Sequence, residues 1–221
     1  YAFLRLLSRR HRVSVASFIR TTENCRAIEG LRAQGIDVRV VPRHPRYDPI
    51  KLLKGLVGPM PFPIINYRDE RMVTLLTEML SRESFDVVQA ESLHMAQYCL
   101  GLSLPTILDL HNIESLLMRR YAQQEYHPLK RLYAACTWTK LAAYEREVCP
   151  RFTHCLTCSE EEQRLLRVWF GVESAHVIPN GVDIGTYRSY ALAGRNGDMH
   201  VRNSRLVFVG RMDYHANVDG I

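Results

Sequence analysis

The feature that most constrains this chain is an alternation of short apolar runs with longer amphipathic runs. The short runs predict strands over 12–18, 36–41, 85–90, 105–110, 153–157, 175–178 and 206–209. The spacing of apolar side chains between them predicts helices over 22–34, 68–81, 93–100, 113–124, 129–148 and 159–170. Strands that alternate with helices form parallel sheets. We therefore predict an α/β fold with a Rossmann-like parallel sheet and helices on both faces.

The cysteines invite a metal interpretation, which the predicted strands argue against. Cys155 and Cys158 are three residues apart, with Cys149 and His154 nearby. Residues three apart in a strand point to opposite faces, and no second cysteine pair follows to complete four ligands. We therefore expect free, buried cysteines in a reducing cytoplasm and no metal ion.

The chain is basic, with a formal net charge of +6, and its excess of basic residues is almost entirely arginine. No stripe of basic and aromatic residues suggests nucleic acid, so we expect no nucleic-acid partner. An apolar segment over 50–65 carries Lys51 and Lys54, which fits peripheral contact with an anionic membrane. An ordinary surface helix and loop over the core remains an equal alternative for this segment.

Ligands of parallel sheets bind outside the carboxyl ends of the strands, so the residues there are candidates for function. The segment 108–114 reads LDLHNIE and follows a buried strand. His111 is able to bond a ligand hydroxyl or move a proton there, and Asp109, on the same face, is able to orient it. The structural alternative is a histidine that caps the next helix or bonds a neighbouring loop.

Two further motifs follow strands. Residues 177–183 read VIPNGVD, in which Pro-Asn-Gly is a tight turn. Residues 206–213 read LVFVGRMD, in which Gly210 lets a phosphate approach the backbone and Arg211 offers a fork of donors. The chain has no G-x-G-x-x-G, P-loop or G-x-S-x-G motif, which argues against nicotinamide-binding, P-loop and hydrolase functions.

In this order, residues 108–114, 157–160, 177–183 and 208–219 resemble the family 4-type glycosyltransferases of the GT-B fold. The similarity is greatest to bacterial sugar transferases associated with exopolysaccharide and exosortase systems. The resemblance implies an acceptor-side, Rossmann-like N-terminal domain over 1–180 whose first strand is missing. It also implies an interdomain linker over 181–204 and the beginning of a donor-binding domain over 205–221. Both ends of the chain read as cuts, so we expect a fragment that is inactive alone.

The resemblance also implies roles for individual residues. His111 matches the histidine that contacts the donor sugar, and Gly210 and Arg211 match the contact to the donor diphosphate. The turn of Asn180, Gly181 and Asp183 matches the crossing between domains. Candidate contacts to acceptor or sugar are the polar residues at the same strand ends, namely Glu91, Asp109, Asn112 and Glu114. Asn217 stands where many relatives carry a lysine, so neutralisation of the diphosphate differs here.

The expected function is transfer of a sugar from a nucleotide-sugar donor to a lipid-linked or polysaccharide acceptor, with retention of configuration and without cofactor or metal. The expected location is the cytoplasm, at the inner face of the plasma membrane. A non-catalytic Rossmann-like binding module and a sugar-nucleotide epimerase of the same fold are the alternatives.

Overall fold

The computed structural model describes residues 2–19, 25–43, 48–181 and 184–185. The chain divides into two units, Tyr1–Gly181 and Val182–Ile221. The strands of the first unit are β1 Ser14–Ile19, β2 Asp37–Pro42, β3 Val88–Glu91, β4 Thr106–Leu110, β5 His154–Thr157 and β6 Ala175–Val177. Its α-helices are α1 Ala2–Leu7, α2 Cys25–Arg32, α3 Pro49–Val57, α4 Phe62–Asn66, α5 Glu70–Arg82, α6 Glu114–Gln124, α7 Pro128–Val148 and α8 Glu160–Phe170.

Every strand pair in the described residues is parallel, which confirms the predicted α/β class. The strands pair as two sheets, one of β1 and β2 and one in the order β3-β4-β5-β6. The predicted linker and the predicted strand over 206–209 lie, apart from Gly181 and residues 184–185, outside the described residues. The domain boundaries therefore stay a prediction.

The core of the larger sheet explains why its strands are so apolar. In β4, Leu108 and Leu110 are 0% and 1% exposed, whereas Asp109 between them is half-buried on the other side of the strand. The buried side packs against one large cluster with contributions from α7 and α8, including Leu141, Val148 and Leu166. One side of β4 therefore faces the core. The other side carries the polar Asp109 near the carboxyl end of the strand.

Local signals set several of the helix ends. Asp69 caps α5 by accepting a hydrogen bond from the Arg71 N–H, and the Ser159 hydroxyl caps α8 by accepting one from the Glu162 N–H. The helix α8 ends at Gly171, whose φ of +69° is left-handed and favours glycine. The predicted helix over 93–100 is a 3₁₀ helix, Leu93–Tyr98, and the helix α4 in the proline-rich segment was not predicted.

Candidate functional site at the carboxyl edge of the larger sheet

Two carboxylates meet where β3 and β4 end. The parallel register places Glu91 opposite Asp109, and the Ser92 N–H donates to the Asp109 carbonyl at 2.9 Å. The Gln89 amide nitrogen donates to Glu91 Oε1 at 2.8 Å and to Asp109 Oδ2 at 3.4 Å. A single amide therefore bridges both carboxylates.

His111, the first residue after β4, lies against this pair. Its Nε2 is 3.3 Å from Glu91 Oε2, an ion pair when the imidazole is protonated. The two side chains are 57% and 54% exposed, so both are open to a ligand from solvent. The predicted partner of His111 was Asp109, two residues before it in the same chain segment. The contact that the structure gives His111 is with Glu91, on the neighbouring strand.

Two of the acidic groups near His111, Asp109 and Glu114, lie in surroundings that disfavour their charge. Burial, and then the negative charge of Glu91, raise the pKa of Asp109, while His111 acts in the opposite direction. Burial also raises the pKa of Glu114, the first residue of α6, again with His111 opposing. Carboxyls of raised pKa hold a proton more readily at a given pH. The imidazole is thus surrounded by three acids of different exposure.

The ends of β5 and β6 contribute to the same edge. Cys158 directly follows β5, and its Sγ lies 3.7 Å from the Asn180 Oδ1. Burial raises the pKa of the Cys158 thiol, and the charges of Glu162 and Asp109 add to this effect. The thiol is therefore protonated at neutral pH and acts as a weak donor.

Ser92 has strained backbone at this edge. Its φ of +73° with ψ of 155° is a conformation that residues other than glycine rarely adopt. It is the one residue other than glycine with positive φ in the described part of the chain. Such strain persists only where the surrounding structure holds it in place. It concentrates at active sites and ligand-binding positions.

A known family matches most of the chain that forms this edge. The family model described as Glycosyltransferase Family 4 matches residues 24–186, which is most of the 221 residues. The chain belongs to glycosyltransferase family 4. No curated protein matches it.

The family match covers part of the predicted site. His111, Asp109, Asn112, Glu114 and Glu91 all lie within the matched range and at one edge of the larger sheet. Asn180 and Gly181 follow β6 and are exposed. Asp183, Gly210 and Arg211 lie outside the described residues, so their predicted roles remain predictions.

Glu145 lies near this edge, and the sequence analysis did not predict it as a site residue. It is 1% exposed and lies on the buried side of α7, near the carboxyl end of that helix. A signal for it exists in the sequence, because Leu141, Tyr144, Glu145 and Val148 follow the spacing of a single helix face. An acidic residue within an apolar helix face is the pattern that would have revealed it.

The described residues hold neither a metal-binding cluster nor a membrane span. They contain no group of three or more His, Cys, Asp or Glu side chains arranged to hold a metal ion. Cys155, one of the cysteines considered for zinc, is buried in β5 and donates through its Sγ to the Cys149 carbonyl at 3.4 Å. In the same part of the chain, no helix is both long and apolar enough to cross a bilayer.

Proposed function

We propose that this protein transfers a sugar from a nucleotide-sugar donor to a lipid-linked or polysaccharide acceptor, with retention of configuration. The observation that carries the proposal is the exposed His111 paired with Glu91 at the carboxyl edge of the sheet. Membership of glycosyltransferase family 4 supports sugar transfer in general. The resemblance to exopolysaccharide-associated enzymes leads us to propose cell-surface polysaccharide synthesis as the role.

In this proposal, His111 donates a hydrogen bond to a hydroxyl of the donor sugar beside the reacting carbon. The Glu91 carboxylate accepts a hydrogen bond from the same imidazole and holds the ring in place. Positive charge develops at the anomeric carbon in the transition state, and the departing diphosphate stabilises it. Gly210 and Arg211 are the residues that we propose to hold that diphosphate. We propose that Arg211 supplies positive charge that a metal ion would otherwise bring to the diphosphate, so we expect transfer without a metal ion or cofactor.

The acceptor side is proposed from the polar groups that flank His111. Asp109 and Glu114 are half-buried carboxyls of raised pKa, and Asn112 lies between His111 and α6. Such groups accept and donate hydrogen bonds to the hydroxyls of a glycan. We propose that Asn180, Gly181 and Asp183 carry the crossing to the donor-binding part of the protein.

The helix α3 supports a proposed contact with an anionic membrane. Ile50, Leu53 and Val57 are 65%, 61% and 81% exposed although all three are large and apolar. The end of α3 is tied to α7, where the Lys140 Nζ donates to the Gly55 and Leu56 carbonyls. The helix thus holds its apolar side chains outward on a fixed support, together with Lys54. A cytoplasmic protein with this surface would lie at the inner face of the plasma membrane.

The test of the main proposal is product analysis with the full-length protein and a panel of nucleotide sugars. We expect a glycosylated acceptor whose anomeric configuration, read by NMR, equals that of the donor. We also expect no loss of activity in EDTA, and a large loss in His111→Ala. Conversion of the nucleotide sugar without any acceptor would indicate an epimerase. Binding without turnover, under all conditions, would indicate a non-catalytic module.

The membrane contact is tested separately with vesicles. Replacing Leu53 and Val57 together by glutamate is expected to weaken co-sedimentation with vesicles that contain phosphatidylglycerol by about tenfold, because two apolar side chains are lost and the added negative charges repel the anionic lipid. The control variant places glutamate at Val168, which is 67% exposed on α8. Equal binding by all three proteins would mean that α3 is an ordinary surface helix.

A further inference from the structure

The helix α6 begins at Glu114, three residues after His111, and has no side-chain cap of its own. Its N-cap residue is Ile113, an apolar residue that is 1% exposed and forms no side-chain hydrogen bond to the helix. The first N–H groups of a helix have no partner within it, and leaving them unpaired in a buried place is costly. An acceptor from elsewhere in the chain is therefore needed at this helix end.

Glu145 supplies that acceptor from α7, thirty residues further along the chain. Its Oε1 accepts a hydrogen bond from the Ser115 N–H at 3.3 Å, and the backbone of Glu114 also donates to this carboxyl. A negative charge at the amino end of a helix is also favoured by the helix dipole. The contact fastens the first turn of α6 to the buried face of α7.

The carboxyl of Glu145 occupies a position that apolar packing alone does not explain. The residue is 1% exposed, and its Oε2 has no hydrogen-bond partner in the described residues. Burial raises the pKa of Glu145 to about 7, with the bonds from Ser115 and Glu114 acting against it. The titratable groups that face it are the Glu114 carboxyl and the Cys149 thiol. Burying a carboxyl is costly, so its presence here indicates that its hydrogen bonds favour one particular arrangement of the helix end.

We propose that Glu145 is a positioning residue of sugar transfer, which holds the amino end of α6 and thereby fixes the turn of residues 111–113 that carries His111. The inference rests on the proposed function of His111. It assigns to Glu145 no contact with the substrate. Displacing a reacting or binding group by about 1 Å is enough to slow an enzyme by roughly 100-fold, so a buried anchor of this kind has a measurable effect.

A double-mutant cycle on the full-length protein tests the inference. Glu145→Leu removes the acceptor, Glu145→Gln keeps a carbonyl acceptor for Ser115, and His111→Ala removes the group that is positioned. We expect Glu145→Leu to lower kcat about tenfold or more, and Glu145→Gln to lower it less than about threefold. In the His111→Ala background, Glu145→Leu should change kcat by less than about twofold, because there is no imidazole left to misplace.

The cycle separates the two proposals. If Glu145→Leu lowers kcat by the same factor with and without His111, the positioning role is wrong and the role of His111 stands. If His111→Ala alone leaves transfer unchanged, the proposed function of His111 is wrong. Glu147→Leu is the matched control, because Glu147 is 72% exposed two residues along the same helix and pairs with Arg151 at the surface.

A second measurement does not depend on activity. The side-chain NMR resonances of His111 should stay at their wild-type positions in Glu145→Gln and Glu147→Leu and move in Glu145→Leu. If the leucine variant does not fold, Glu145→Met takes its place, because its unbranched side chain follows the path of glutamate. Unchanged His111 resonances in a folded variant without the acceptor would overturn the inference.

Discussion

The segment that carries His111 has different surroundings on its two sides. Toward solvent, the His111 imidazole meets the Glu91 carboxylate, and each side chain is more than half exposed. Toward the interior, the first turn of α6 meets the Glu145 carboxyl, which is almost fully buried. Two acidic residues thus hold one short segment. Glu91 contacts it from the solvent-exposed side and Glu145 from the buried side.

The exposed contact of Glu91 and the buried contact of Glu145 differ in strength as well as in position. An exposed ion pair contributes about 1 kcal/mol or less, because water competes for both groups and salt screens them. A buried, hydrogen-bonded carboxyl cannot be replaced by water, so losing it leaves donors unpaired. We therefore assign binding of substrate to the exposed side and positioning to the buried side. Variants on each side are expected to behave differently for this reason.

The largest effect on stability is expected from the core beneath the site. Leu108→Ala should lower the free energy of unfolding by about 2–5 kcal/mol, because Leu108 is 0% exposed and its removal leaves a cavity under β4. The measurement is urea denaturation at pH 7. Val87→Ala is the control, since Val87 is 47% exposed and should change the unfolding free energy by less than about 0.5 kcal/mol. Similar values for both variants would contradict the burial of β4.

A smaller effect, of about 3 kcal/mol, is expected from the pH dependence of the buried side. Because burial raises the pKa of Glu145 from 4.5 to about 7, the folded state holds the proton more tightly than the unfolded state. The associated stability is full below pH 4.5 and is lost as the pH rises to about 7. Glu145→Gln does not titrate, so it should gain relative to wild type by roughly this amount between pH 4 and pH 8.

Glu91→Gln is the matched variant on the exposed side for the same experiment. Its difference from wild type should stay below about 1 kcal/mol at every pH, because Glu91 is more than half exposed and its ion pair is weak. If Glu145→Gln behaves like Glu91→Gln across this range, the contrast between the two sides is wrong.

The sequence predicted most of the framework on which this segment rests. The helix α5 was predicted over 68–81 and runs over Glu70–Arg82, and α6 and α7 separate at Pro128 as expected. The position of His111 directly after β4 was also predicted correctly. These features follow from local periodicity, capping residues and proline, which act over a few residues.

The contacts that define the site were harder to predict, because they join distant parts of the chain. The partner of His111 comes from β3, so it depends on the register of two strands and not on spacing along one. Glu145 reaches α6 only because two helices pack side by side. The division of the strands into two sheets likewise reflects pairing partners that no local pattern specifies.

The central claim is that the exposed histidine after β4 takes part in sugar transfer. The most direct measurement is kcat/KM of the full-length protein for His111→Ala beside His127→Ala. His127 is exposed and stands just before α7, beyond the far end of α6, a helix of 11 residues and therefore roughly 16 Å long. We predict a loss of about 100-fold or more for His111→Ala and less than about twofold for His127→Ala. Equal kcat/KM for both variants would contradict the claim.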